Sequence, residues 1–139
     1  MAIPVRGAKE MLAGMSPGLV EGDYVFCSTE DAGLAARART HAIGWFKESE
    51  GMSLILPLSD ARALGFDCAS PMRQITLSVY SALDGVGLTA AVAAALAEQG
   101  IPCNMVAAFH HDHVFVPRDL AEQALHLLQA LQRRAATAT

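Results

Sequence analysis

Three things are scarce in this chain of 139 residues: cysteine, clustered basic charge and long apolar runs. The three cysteines, Cys27, Cys68 and Cys103, are odd in number, widely spaced and without a C-x-x-C pair. That pattern argues against a disulfide framework or a cysteine zinc site and fits small buried hydrophobes in a reducing cytoplasm. Ten Lys and Arg against fourteen Asp and Glu leave a formal charge of −4. Basic residues cluster only at Arg133 and Arg134, so neither nucleic acid nor an anionic membrane surface is an expected partner. No apolar stretch approaches the roughly 20 residues of a membrane span. "SLILPL" is short and carries Pro57, and the opening "MAIPVRGAKE" lacks the apolar core of a secretory signal. Nor is there a nucleophile elbow, a phosphate loop, an H-E-x-x-H pair or a dinucleotide fingerprint, so the expectation is a non-catalytic protein without cofactors.

What the chain does have is apolar content. At 53% apolar and 17% charged it can fill a core, either as one domain or as two small modules. The second half carries the clearer pattern. "QITLSVYS" (74–81) alternates Ile75, Leu77 and Val79 with polar residues, as a half-buried strand does. The glycine turn "ALDGVG" follows, and then a helical stripe of Leu88, Ala91, Val92, Ala95 and Leu96 that stops at Gly100. A second strand is expected in "IPCNMVAAF" (101–109) and a third in "HVFVP" (113–117). The last helix is expected near Asp119, where Asp119 and Glu122 form a D-x-x-E start signal, and "AATAT" reads as a frayed tail. Strand, helix, strand, strand, helix is the β-α-β-β-α-β split unit without its final strand. The exposed edge this leaves has to be paired, and the first half can supply the strand.

In the first half, strands are expected in "DYVFCST" (23–29), "AIGWFKESEG" (42–51) and "MSLILPL" (52–58). A short helix follows in "SDARALG" (59–65), capped by Ser59 or Asp60 and stopped by Gly65. "EDAGLAARARTH" (30–41) reads as a loop with a helical turn. Periodicity lapses in "FDCASPMR" (66–73), which divides the chain into halves 1–70 and 71–139.

The run "FHHDHVFVP" (109–117) places His110, His111, Asp112 and His113 together. On a regular strand His111 and His113 would share one face while His110 and Asp112 take the other, so the four cannot converge as ligands. A polar bend between two apolar strands is the stronger reading, and a metal-dependent enzyme using His111 and His113 is the weaker one. A histidine–carboxylate pair, His113 with Asp112 or Asp84, would lock that bend.

Over "ITLSVYSALDGVGLTAAVAAALAEQGIPCNMVAAFHHDHVFVP" the chain resembles the ACT domain, with Asp84, Gly85, Gly87, Leu88, Gly100 and Ile101 at the positions that carry the likeness. With "EGMSLILP" added, it looks like small bacterial proteins built from two tandem ACT-like halves that complete one another's sheets. The resemblance implies an α+β, ferredoxin-like βαββαβ architecture with antiparallel sheets and helices packed on one face. It also implies a sensor for a small molecule, most often an amino acid, acting as a homo-oligomer such as a dimer. ACT modules bind ligand where a strand-to-helix loop meets a partner strand. Carried onto this chain, that places the ligand at Asp84, Gly85, Val86, Gly87, Leu88 and Thr89, with Asn104 on the rim. Gly85 and Gly87 would let backbone approach the ligand, the helix start would offer N–H groups to a carboxylate, and Asp84 would take an ammonium. The competing reading is a structural or protein-interaction module in which Asp84 and the glycines serve only the turn.

Overall fold

The structure, a computed structural model, describes residues 7–79 and 86–137. The chain divides into two compact units, one formed by the residues up to Glu21 together with those from Arg73 on, the other by Gly22–Met72.

The larger unit holds α1 (Ala8–Ala13), β1 (Gly18–Leu19), β5 (Met72–Leu77), α4 (Leu88–Ala97), β6 (Asn104–Ala107), β7 (Asp112–Pro117) and α5 (Ala121–Thr137). The smaller holds β2 (Tyr24–Thr29), α2 (Ala32–Arg39), β3 (Gly44–Glu48), β4 (Gly51–Pro57) and α3 (Leu58–Ala63). In the larger unit the strands stand side by side as β1-β5-β7-β6, with β5 in the interior. The strand missing from the split unit comes from the N-terminal segment. Gly18 and Leu19 pair antiparallel with Thr76 and Ile75, Val20 N–H donates to Gln74 O at 2.9 Å, and Arg73 Nη2 donates to Val20 O at 3.0 Å.

One face of this sheet is apolar and carries three helices. Ile75, Leu77, Val114 and Val116 pack against Val92 and Leu96 of α4, Ala124 and Leu128 of α5, and Met11 of α1, all nearly inaccessible. At roughly 25 cal/mol per Å² of apolar surface, burying each large side chain contributes about 1.5–3 kcal/mol. One element here has little sequence signal. In α1 the pattern is Met11 with Met15 four residues on, both buried, in a stretch broken by glycines and Pro17. Its end is tied to α5 by Gln132 Nε2 donating to Ala13 O at 2.9 Å.

The expected boundaries need adjusting at several points. β5 ends at Leu77, so Ser78 and Val79 lie beyond it, and Tyr80 and Ser81 fall outside the described residues. Ser78 N–H instead donates to Met15 O at 2.7 Å. β6 is only four residues long, since Ile101 still belongs to the helix exit, where its N–H reaches Leu96 O at 3.0 Å over Gly100 at φ +70°. The D-x-x-E start does not form as a cap. Arg118–Leu120 make a 3-10 turn after Pro117, and the exposed Asp119 carboxylate lies 3.7 Å from the Arg118 guanidinium. The tail expected to fray is helical to Thr137, whose hydroxyl donates to Arg133 O at 3.1 Å.

The smaller unit has β4 between β3 and β2, both antiparallel to it. Val25, Leu54 and Leu56 project to one face, where Ala38 of α2 and Ala61 of α3 close over them. Segment 30–41, expected as a loop, is mostly the helix α2. Asp31 caps it by accepting the Leu34 N–H at 2.9 Å, and the helix buries only Ala35 and Ala38. Two alanines beside two arginines make a faint apolar stripe, so the periodicity is hard to see. α3 begins directly after Pro57 without a side-chain cap from Ser59 or Asp60, and it ends before Gly65 as expected. The face opposite the helices leaves Phe26 45% and Phe46 73% exposed.

The candidate ligand site at the start of α4

The site follows from chain direction in the larger unit. β5 leads into the start of α4, and α4 delivers the chain to β6 at its other end. The turn joining β6 to β7 therefore returns to the end where α4 begins. It is a tight bend, closed by Ala108 N–H donating to His111 O at 3.1 Å, with Ala107 opposite Asp112 and Asn104 opposite Phe115.

Of the residues expected to bind ligand, Val86, Gly87, Leu88 and Thr89 lie together at the helix start. Asp84 and Gly85 lie outside the described residues. Asn104 opens β6 at the end where α4 stops, one helix length away, about 15 Å for ten residues at 1.5 Å each. Val86 is 79% exposed, Thr89 is exposed, and Leu88 turns its side chain into the core. Gly87 is the helix N-cap at φ +107° and makes no side-chain cap. Its carbonyl accepts the Ala91 N–H at 3.0 Å, opening the helix. The N–H groups of Leu88, Thr89 and Ala90 precede the first intrahelical donor, which leaves a partly positive helix end beside a hydroxyl.

Gly87 has a second reason to be glycine. A Cβ there would stand 2.7 Å from the Ala8 Cβ of α1. α1 thus rests directly on this turn, a contact that nothing in the sequence signalled.

The histidines separate by role. His110 stacks edge-on against Phe109 at 5.0 Å, in a bend where Phe109 is 65% exposed. His111 is half-buried, and its Nδ1 is buried without a hydrogen-bond partner among the described residues. Asp112 is turned to the core side of β7 with Val114 and Val116 and is only 9% exposed. His113 takes the opposite face, where Gln74 Nε2 lies 3.0 Å and Thr76 Oγ1 3.1 Å from its Nδ1. The amide nitrogen can only donate, so Nδ1 accepts and the ring proton sits on Nε2. Burial first, and then His111 nearby, pull the His113 pKa below its ordinary value, with Asp112 opposing. An amide and a hydroxyl thus tie Nδ1 of His113 to β5 without charge, while Asp84, one of its two expected carboxylate partners, lies outside the described residues. Among the described residues no three of His, Cys, Asp and Glu are grouped so as to hold a metal ion.

Two ACT-domain family profiles match the chain, one over residues 6–73 and the other over 69–130. A solved Vibrio cholerae protein of unknown function, described as a possible transport protein, is 40% identical. The match covers 89% of this chain and 94% of that one at a TM-score of 0.79. The regulatory subunit of aspartate kinase from Thermus flavus is 11% identical over 83% of this chain and 95% of its own, at 0.60. The same subunit from Thermus thermophilus, in ligand-free form, is 12% identical over 85% and 97%, also at 0.60. Those two likenesses concern the fold. No curated protein matches the chain.

Proposed function

Because the chain belongs to the ACT-domain family, with two such domains in tandem, we propose that it is a non-catalytic regulatory protein that binds an amino acid at the start of α4. The observation that carries this reading is the first turn after Gly87, which has no side-chain cap among the described residues and lies beside the exposed Thr89. The N–H groups of Leu88, Thr89 and Ala90 suit an α-carboxylate, and the Thr89 hydroxyl adds a donor. Asp84 would take the ammonium, Gly85 would allow close approach, and Val86 would meet an apolar side chain. β6 is the outermost strand on its side of the sheet, so a second copy pairing there would bring its Asn104 to a neighbouring pocket. In this reading the working form is a dimer. Ligand would act by stabilising the bound arrangement and so changing affinity for a regulated partner. The three free thiols suit a reducing cytoplasm.

Thr89→Asp tests this cleanly. A carboxylate in the first turn complements the helix dipole, so the free variant should melt no lower than wild type. The same charge repels an incoming carboxylate. Titration calorimetry and melting curves with each amino acid should find a ligand for the wild type and none for the variant. Silence of the wild type toward all of them, or an equal response from Thr89→Asp, would refute the assignment.

A further inference from the structure

The smaller unit has a cleft beside β2. On the side of β2 away from β4, Tyr24 pairs with Met72, the last residue of the same unit. Past that point the segment 66–70 diverges from β2 and leaves a cleft of about 290 Å³, entirely within the smaller unit. The ladder with β4 fixes which backbone groups face it. Leu58 N–H donates to Asp23 O, so Asp23, Val25 and Cys27 form the hydrogen-bonded pairs with β4. By alternation, the peptide group of Ser28 points the other way, toward the cleft.

The lining has a definite chemistry. Phe26 and Phe66 bring two aromatic rings, Ser28 and Ser70 bring hydroxyls, and Asp67 brings a negative charge. Among the described residues no Lys, Arg or His lines it, so an anion would meet the Asp67 charge without compensation. Cys27 does not compete for a ligand, because its thiol donates to Leu54 O at 3.7 Å and burial keeps it protonated. Asp67 is held in place by accepting the Ala69 N–H at 2.9 Å, which leaves its second carboxylate oxygen open. A carboxylate, a strand carbonyl and two π faces around a small volume all favour one kind of guest, a compact cation with an apolar body.

We propose that this cleft is a second binding site, selective for small primary ammonium compounds with an apolar body of up to about nine carbons. The ammonium donates to Asp67 and to the outward Ser28 carbonyl of β2, and the apolar part lies against Phe26 and Phe66. Taking ~30 Å³ for a water-sized group, the volume holds roughly ten non-hydrogen atoms. A zwitterionic amino acid fits less well, since its carboxylate would find no cation here. The site stands apart from the pocket proposed at α4 and does not require it.

The test is an amide chemical-shift titration of the full chain with 2-phenylethylamine and with the neutral isostere 2-phenylethanol. The amine should saturate shifts at Phe26, Ser28 and Ala69, while the alcohol binds at least about tenfold more weakly. Asp67→Asn keeps an oxygen for the Ala69 N–H, so the turn survives, and amine affinity should fall about tenfold or more. Phe66→Leu, which keeps the charge, should weaken the amine several-fold. Thr89→Asp should leave amine binding unchanged. Equal affinity for amine and alcohol, no saturable shift at the three amides, or an Asp67→Asn variant that binds like wild type would each overturn the proposal. Failure of the α4 site would instead appear as loss of the amino-acid response with the amine response intact.

Discussion

Gly87 and Ala8 meet so closely that a single methyl group on the glycine would reach 2.7 Å from the alanine Cβ. The first helix of the chain therefore packs against the turn that opens α4, nearly eighty residues later.

Gly87→Ala should show this directly. The substitution meets both the steric contact and φ +107°, a backbone region that alanine reaches at a cost of about 1–2 kcal/mol. Equilibrium unfolding should register a loss of at least about that size, and hydrogen exchange should rise in α1 more than in α5. Ala8→Gly in the same background should recover part of the loss, because it removes the clashing methyl.

His113 makes stability depend on pH in a stated direction. Its folded pKa lies below the ordinary value near 6.5, so the neutral ring is the form the fold prefers. This contribution is fully present above the ordinary value and is lost as pH falls through the lowered one. Denaturant midpoints taken from pH 7.5 down to 5 should decline less steeply in His113→Gln than in wild type. The reason is that Gln places no proton on the acceptor facing Gln74 and Thr76.

The Cys27 thiol, pushed up to about 11 by burial with Cys68 adding to the effect, should be a poor nucleophile. At pH 8 its alkylation by iodoacetamide should run about a hundredfold slower in the folded chain than in denaturant, followed by peptide mass spectrometry. The sign for stability is opposite to that of His113. The protonated thiol is favoured, so its contribution holds below the unfolded pKa and is lost as pH rises through 11.

α2 offers a packing test. Ala38 is fully buried between its helix and the sheet, whereas Ala36 faces solvent. Ala38→Leu should cost about 1–3 kcal/mol through overpacking. Ala36→Leu should change unfolding free energy by less than about 0.5 kcal/mol.

These cases also mark what could be read in advance. The 74–134 order was legible because β-branched alternation and the Leu88–Val92–Leu96 stripe are strong periodic signals. The glycine stop at Gly100 was legible for the same reason, since one residue type suits a left-handed helix exit. α2 was not, because alanine buries well but scarcely alters a hydrophobic pattern. α1 and β1 were missed because six- and two-residue elements carry too little pattern and owe their shape to partners far along the chain. At the candidate site the glycine turn was visible, while the place of Asn104 at the other end of α4 depended on strand direction. The role of His113 turned on Gln74 and Thr76, a contact across 39 and 37 positions that no local motif announces.

The pairing of Gly18 and Leu19 with Ile75 and Thr76 also dictates an order of events during synthesis. The residues that finish the larger unit leave the ribosome before the smaller unit does, yet their partner strand follows more than fifty residues later. Meanwhile Gly22–Met72 emerges as one continuous stretch, with its own helices and its own core. The early segment must wait, with Met11 and Met15 exposed, until β5, α4 and α5 arrive. A nascent chain stalled just past Met72 should thus carry a folded module behind a sticky, unsatisfied leader, and that leader is where a chaperone would find its hold.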